Sequence, residues 1–304
     1  MTQLFLEQAL NGLQFGLMLF LLAAGLTLVF GIMDMINLAH GSLYMVGAYL
    51  AAAAAAASGS FVIGVLAAVA GTMAVGALLE LAVLRRLYVR DHLSQVLATF
   101  ALILIANEAV RMVWGDQPVM LNAPEALAGP VEIAGFSYPA FRLLIIAVGV
   151  LVALALYVAV TKTRVGMWVR AGASNREMTE ALGINVKRLF TIVFAIGAGL
   201  CALAGAMLGP LLAVQVGMGE SILILAFVVI VIGGIGSIRG ALVGSLLVGV
   251  VDTLGRALLP WLLRSFLPGE VAAQLGPALA AILIYVLMAA ILFWKPAGLF
   301  PARG

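Results

Sequence analysis

Charge is scarce in this chain. Of its 304 residues only 10% are Asp, Glu, Lys or Arg, against roughly 25% in a soluble domain, which excludes an ordinary water-facing surface. No acid or base occurs between Glu7 and Asp34, between Asp34 and Glu80, or between Arg188 and Glu220. A single cysteine, Cys201, excludes disulfides and cysteine metal sites within the chain. Two histidines, His40 and His92, are too few for a histidine site, so no metal centre is expected. A phosphate loop is missing too: GGIGSIRG, Gly233–Gly240, is glycine-rich but lacks the closing Lys-Ser/Thr. Gly197–Ala202 matches a dinucleotide fingerprint on paper, yet it lies in an apolar run with no strand before it. No Lys or Arg precedes the first apolar run, so no cleavable signal is expected.

Grease fills what charge leaves. The chain is 65% hydrophobic, and its apolar segments fall at about 8–33, 41–57, 61–84, 93–114, 140–161, 188–214, 221–236, 240–258 and 271–294. Runs of about 20 apolar residues cross a bilayer as helices. Strands of a membrane barrel would alternate polar and apolar over about 10 residues, and these segments do not. The expected fold is all-α: one polytopic helical membrane domain over residues 1–304, with eight or nine transmembrane or re-entrant helices. The net charge of +3 is carried in loops rather than in a groove-sized patch, so lipid and not nucleic acid is the expected surroundings.

Loop charges set the orientation. Arg85, Arg86 and Arg90 mark one cytoplasmic loop, and six of the sixteen Lys/Arg lie between Lys162 and Arg188. Between these, residues 115–139 carry Asp116, Glu125 and Glu132 and no base, as an external loop should. The tail with Lys295 and Arg303 is then cytoplasmic and the N-terminus external. HGSL at His40–Leu43 and RGAL at Arg239–Leu242 each open a helical run after a break, a faint internal echo of the kind transporters carry.

The Lys162–Arg188 loop also holds a short helix pattern. Ser174 followed by Glu177 has the form of a capping box, and Gly183 suits a left-handed helix end. Between them Asn175–Leu182 makes two turns, with Met178, Ala181 and Leu182 on one small apolar face and Arg176, Glu177 and Glu180 wet. A helix this short is unstable alone, so it must dock, either on lipid headgroups or on a cytoplasmic partner.

Glu177 to Gly183 fits the E-x5-G spacing of the cytoplasmic "EAA" loop of ABC-importer permeases, with Met178 and Thr179 in place of the two alanines. ALGIN at Ala181–Asn185, GIMDMINLAHGSLYMVGAY at Gly31–Tyr49, GGIGSIRGALVG at Gly233–Gly244 and KPAGLF at Lys295–Phe300 follow in the pattern of a narrower group. The chain resembles, over nearly its whole length, the LivH-type permease subunits of the branched-chain amino-acid ABC transporter family. That family often has Pro where this chain has Arg239. The resemblance implies an inner-membrane permease without catalytic residues or a bound cofactor. It implies a homologous second permease, two ATP-binding subunits that carry ATP and Mg, and a periplasmic substrate-binding protein. Ser174, Glu177, Met178, Ala181 and Gly183 would couple to the ATPase. Urea and short-amide permeases of the same family look alike. An ion-coupled secondary transporter relaying charge through Asp34, Glu108 and Asp252, or a passive channel, are readings from other classes, neither of which needs a docking helix.

Ionisable groups in lipid invite functional suspicion. Glu108 with Arg111, and Asp252 with Arg256, are spaced to neutralise each other on one helix face. Asp34, Asn37, His40 and Ser42 cluster at the break between the first two helices. Unwound backbone at membrane depth needs protein or a water-filled path around it, and the helix starting near His40 would aim its N–H groups there. These four are the candidate substrate-path residues; the alternative is that Asn37 and His40 only tie down a turn. Gly236, Gly240 and Gly244 repeat every four residues, a seam for close helix packing or a gate, expected to face the second permease.

Overall fold

A computed structural model describes residues 2–133 and 136–301. Among the described residues eight helices are long and apolar enough to cross a membrane: α1 (Thr2–Met33), α2 (His40–Ser58), α3 (Phe61–Leu87), α4 (His92–Trp114), α5 (Ala140–Lys162), α8 (Val186–Leu208), α10 (Ile238–Leu263) and α11 (Gly269–Trp294). Two short helices, α6 (Arg164–Ser174) and α7 (Arg176–Ala181), fill the basic loop. The remaining apolar helix, α9 (Met218–Gly233), has 16 residues, about 24 Å of rise against a hydrocarbon core of about 30 Å.

Helix ends follow local chemistry. Asp91 starts α4 by accepting the Ser94 backbone N–H at 3.1 Å. α8 stops at Leu208, short of the expected 214, because Gly209-Pro210 follows. Val214 instead bridges Val119. α10 outruns its expected end, passing through Pro260, whose ring packs on Gly276 of α11. The acidic loop holds an element the apolar pattern does not mark, an antiparallel hairpin pairing β1 (Pro130–Ile133) with β2 (Phe136–Pro139).

α1 is the central post, packed against α5, α8, α9 and α10. Tyr138 donates to Asn11 at 3.0 Å and Asn107 donates to Glu220 at 2.7 Å. The N-terminal end of α1 therefore shares one face of the bundle with the acidic loop. At the opposite face Tyr88 reaches Met33, and Arg85 reaches Thr191. The C-terminal tail also lies there. The Leu299 and Phe300 N–H groups donate to Ile232 and Gly233 at 2.8 and 2.9 Å, satisfying carbonyls that end α9.

The expected glycine seam exists but faces inward. A Cβ at Gly240 would run into the Gly233 carbonyl of α9, and one at Gly244 would lie 2.7 Å from the Val229 oxygen. Gly236 sits in the α9–α10 turn, against Gly31 of α1. The seam does not face a second permease as expected. The reason is that α9 is wedged beside α10 in the same protomer and needs backbone-to-backbone contact there. Gly41 makes the matching contact with Gly219 at the other end of α9, so the two glycines of the HGSL and RGAL echo grip one helix at its two ends.

Candidate docking site on the basic loop

The basic loop folds as two helices with different tasks. α6 starts at Thr163, whose hydroxyl accepts the Gly166 N–H at 3.1 Å. Gly166, Val169 and Gly172 are buried, while Val165, Met167 and Trp168 are exposed. An amphipathic helix with Trp and Met outward and Arg164 and Arg170 nearby suits the headgroup layer.

α7 is capped differently from the expected box. Ser174 closes α6, and Asn175 takes the N-cap position with extended backbone, its side-chain oxygen accepting the Met178 N–H at 2.9 Å. Shifting the cap by one residue puts Glu177 at the second helical position, where it cannot reach back to complete a box; it still favours the positive helix end. The C-terminal expectation holds. Gly183 has φ +85°, its N–H donates to Glu180 at 3.0 Å, and Ile184 donates to Thr179 at 3.3 Å. Those two bonds are the Schellman pattern, and they need the left-handed residue.

Orientation is the informative feature. Thr179, 2% exposed, points into the protein and anchors α7, and the Arg176 guanidinium stacks 5.1 Å over the Phe190 ring of α8. Met178 is 59% and Leu182 73% exposed, with Ala181 and Glu177 beside them in the open. The apolar face of this helix thus turns away from its own protomer. Periodicity alone marked the face; the inward anchor Thr179 was missed, because a threonine at helix position four carries no apolar signal.

The break between α1 and α2 splits the four path candidates. Asp34 is exposed with φ +48°, a left-handed conformation that Asp tolerates. Asn37, His40 and Ser42 are buried. The Asn37 side-chain oxygen accepts the Ala39 N–H at 3.1 Å, an Asx turn. His40 Nε2 lies 3.0 Å from Cys201 Sγ, its ring wedged beside Gly25 of α1 and Gly197 of α8. Glu108 and Asp252 pair with arginines on their own helices. Glu108 meets Arg111, which also bonds Asp116 at 3.1 Å, and Asp252 meets Arg256 at 2.8 Å. Among the described residues no cluster of three or more His, Cys, Asp or Glu could hold a metal.

Comparison with known proteins points one way. Residues 8–292 match the family described as branched-chain amino acid transport system / permease component. The chain is 32% identical to the high-affinity branched-chain amino acid transport system permease protein BraD of Pseudomonas aeruginosa, over 83% of this chain and 86% of that one. It is equally identical to the permease protein LivH of Escherichia coli, over 84% and 87%. A shorter match, 34% identical over 34% of the chain and 31% of the relative, is the fructose import permease protein FrcC of Rhizobium meliloti. No solved structure matches. With eight apolar helices of spanning length and these relatives, the chain is a multi-pass protein of the bacterial inner membrane and belongs to the family of branched-chain amino acid transport permeases.

Proposed function

We propose that this chain supplies half of the translocation path of an ABC importer for branched-chain amino acids: leucine, isoleucine and valine. Its partners in this reading are a homologous second permease, two ATP-binding subunits and a periplasmic binding protein. The permease catalyses no covalent step and binds no cofactor; ATP and Mg act on the partner subunits. The observation that carries the reading is the outward apolar face of α7, a short helix firmly capped, anchored from behind and bare in front. An ATPase groove covering that face would turn closure of the nucleotide-bound dimer into motion of α8 and its neighbours. A carrier driven by ions has no use for such a helix, and Glu108 and Asp252 are each already neutralised by an arginine.

The test is purification from native membranes in mild detergent. Wild type is expected to bring an ATP-binding subunit with it, and the Glu177→Arg, Gly183→Trp double variant to lose it. A well-folded wild type that carries no ATPase would sink the importer reading.

The substrate path is proposed to border the α1–α2 break, with Asp34 exposed at its edge and Asn37, His40 and Ser42 fixing its backbone. Asn37→Ala and His40→Ala are each expected to lose leucine uptake while the complex still assembles. Unchanged uptake in both variants would remove the break from the path.

A further inference from the structure

Behind α7 lies a buried carboxylate that the function described so far does not use. α3 opens into a π-helical turn at Glu80–Leu84, a local widening that often marks a functional position. Glu80 starts that turn and is 0% exposed. Its Oε1 accepts from Arg85 Nε at 3.2 Å and from the Tyr88 hydroxyl at 3.0 Å. Its Oε2 accepts from Arg85 Nη2 at 3.0 Å and from the Thr191 hydroxyl of α8 at 2.7 Å. Arg85 Nη2 in turn donates to Thr191 at 2.8 Å. Burial, then the Glu80 carboxylate, push the Tyr88 phenol far above its usual range, so it keeps its proton as donor.

This cluster connects three further elements. The Tyr88 ring stands edge-on to Phe190 of α8, centroids 5.6 Å apart at 85°. Phe190 also meets Arg176 of α7, whose guanidinium lies 5.1 Å from the ring. The Tyr88 hydroxyl also lies 3.5 Å from Met33 Sδ, the last residue of α1 before the break. A chain of contacts therefore runs from α7 through Phe190 and Tyr88 to Glu80 in α3, with a branch to the end of α1. Burying the Glu80 carboxylate against a half-buried Arg85 is a weak way to gain stability, because an apolar side chain would pack there at lower desolvation cost. What four directed hydrogen bonds onto one carboxylate do supply is a fixed register between α3, α8 and the Tyr88 turn.

We propose that Glu80, Tyr88 and Phe190 are positioning residues for energy coupling, a relay that makes α3 and the α1–α2 break follow the displacement of α7. The proposal rests on the docking reading of α7. The stacked contacts at Phe190 hand over motion from α7. The Glu80 hydrogen bonds hold the receiving end rigid, so α3 is carried along instead of slipping past α8.

The test is reconstitution of the purified importer, with its ATPase, partner permease and binding protein, in proteoliposomes, reading leucine uptake and ATP hydrolysis together. Phe190→Leu and Tyr88→Phe are expected to give complex in wild-type yield that hydrolyses ATP but moves about five- to tenfold less leucine per ATP. Phe190→Trp, which keeps a ring under Arg176, is expected to restore most of the ratio. Tyr88→Phe removes one hydroxyl and keeps the ring, so it carries the test even where Glu80→Gln fails to assemble. A wild-type ratio in both Phe190→Leu and Tyr88→Phe overturns the relay. So does an equal loss in Phe190→Leu and Phe190→Trp, which would mean packing alone. Wild-type complex without any ATPase overturns the docking reading itself, and is distinguishable from a docked but uncoupled variant.

Discussion

Gly240→Val should remove most of the folded protein from the membrane. A Cβ at this position collides with the Gly233 carbonyl and lies 3.1 Å from its Cα. The colliding atoms are backbone, so no rotamer change relieves them. Overpacking against mobile side chains costs about 1–3 kcal/mol, and a rigid obstacle raises that figure toward the whole stability of a typical domain, about 5–15 kcal/mol. Fluorescence-detected size exclusion of a tagged protein in detergent is the measurement. The monodisperse peak is expected to fall severely, while Val243→Ala, three residues on and partly exposed, leaves it unchanged. A full-height peak for Gly240→Val would rule out the tight α9–α10 contact.

The second large effect concerns α7. Met178→Glu combined with Leu182→Glu is expected to bring leucine uptake down to background with no change in the thermal stability of the isolated permease. Both side chains are exposed in the protomer, so charging them disturbs nothing there. At a docked interface the same change buries two unpaired carboxylates. Interface hot spots contribute about 2 kcal/mol or more each, and losing two such contacts weakens association by about 1,000-fold. Co-purified ATPase and uptake should fall together. Uptake that survives would show that α7 lies on lipid.

The spans were legible because scarcity of charge is a signal that accumulates over 20 residues. The boundaries were less so, since Gly209-Pro210 ends α8 early and Pro260 does not end α10. On α7, Gly183 could be read in advance because a left-handed helix end admits few residues. The N-cap could not: Ser174 and Asn175 are both good caps, and the choice fell to where α6 stops. In the sequence Glu80 is only a charge five residues before Arg85. That it also gathers Tyr88 and Thr191 is a tertiary fact, with Thr191 more than a hundred positions away. The glycine seam was visible as a repeat, but the surface it meets depends on α9, whose short length gives no hint of its neighbours.

That short helix bears on how the protein is made. α9 rises about 24 Å, too little for its ends to reach water across a full bilayer, and exposed peptide groups in lipid cost several kcal/mol each. One end is held against Gly41 and the other meets Leu299 and Phe300. Ribosomes deliver that second cover only after α10 and α11 have been synthesised. A ribosome-bound nascent chain stopped at α9 therefore has the α1 and α2 contacts of that helix but not those of α10 and the tail. The carbonyls that end α9 are thus capped by residues made after α10 and α11, so this join of helix and tail forms late in synthesis.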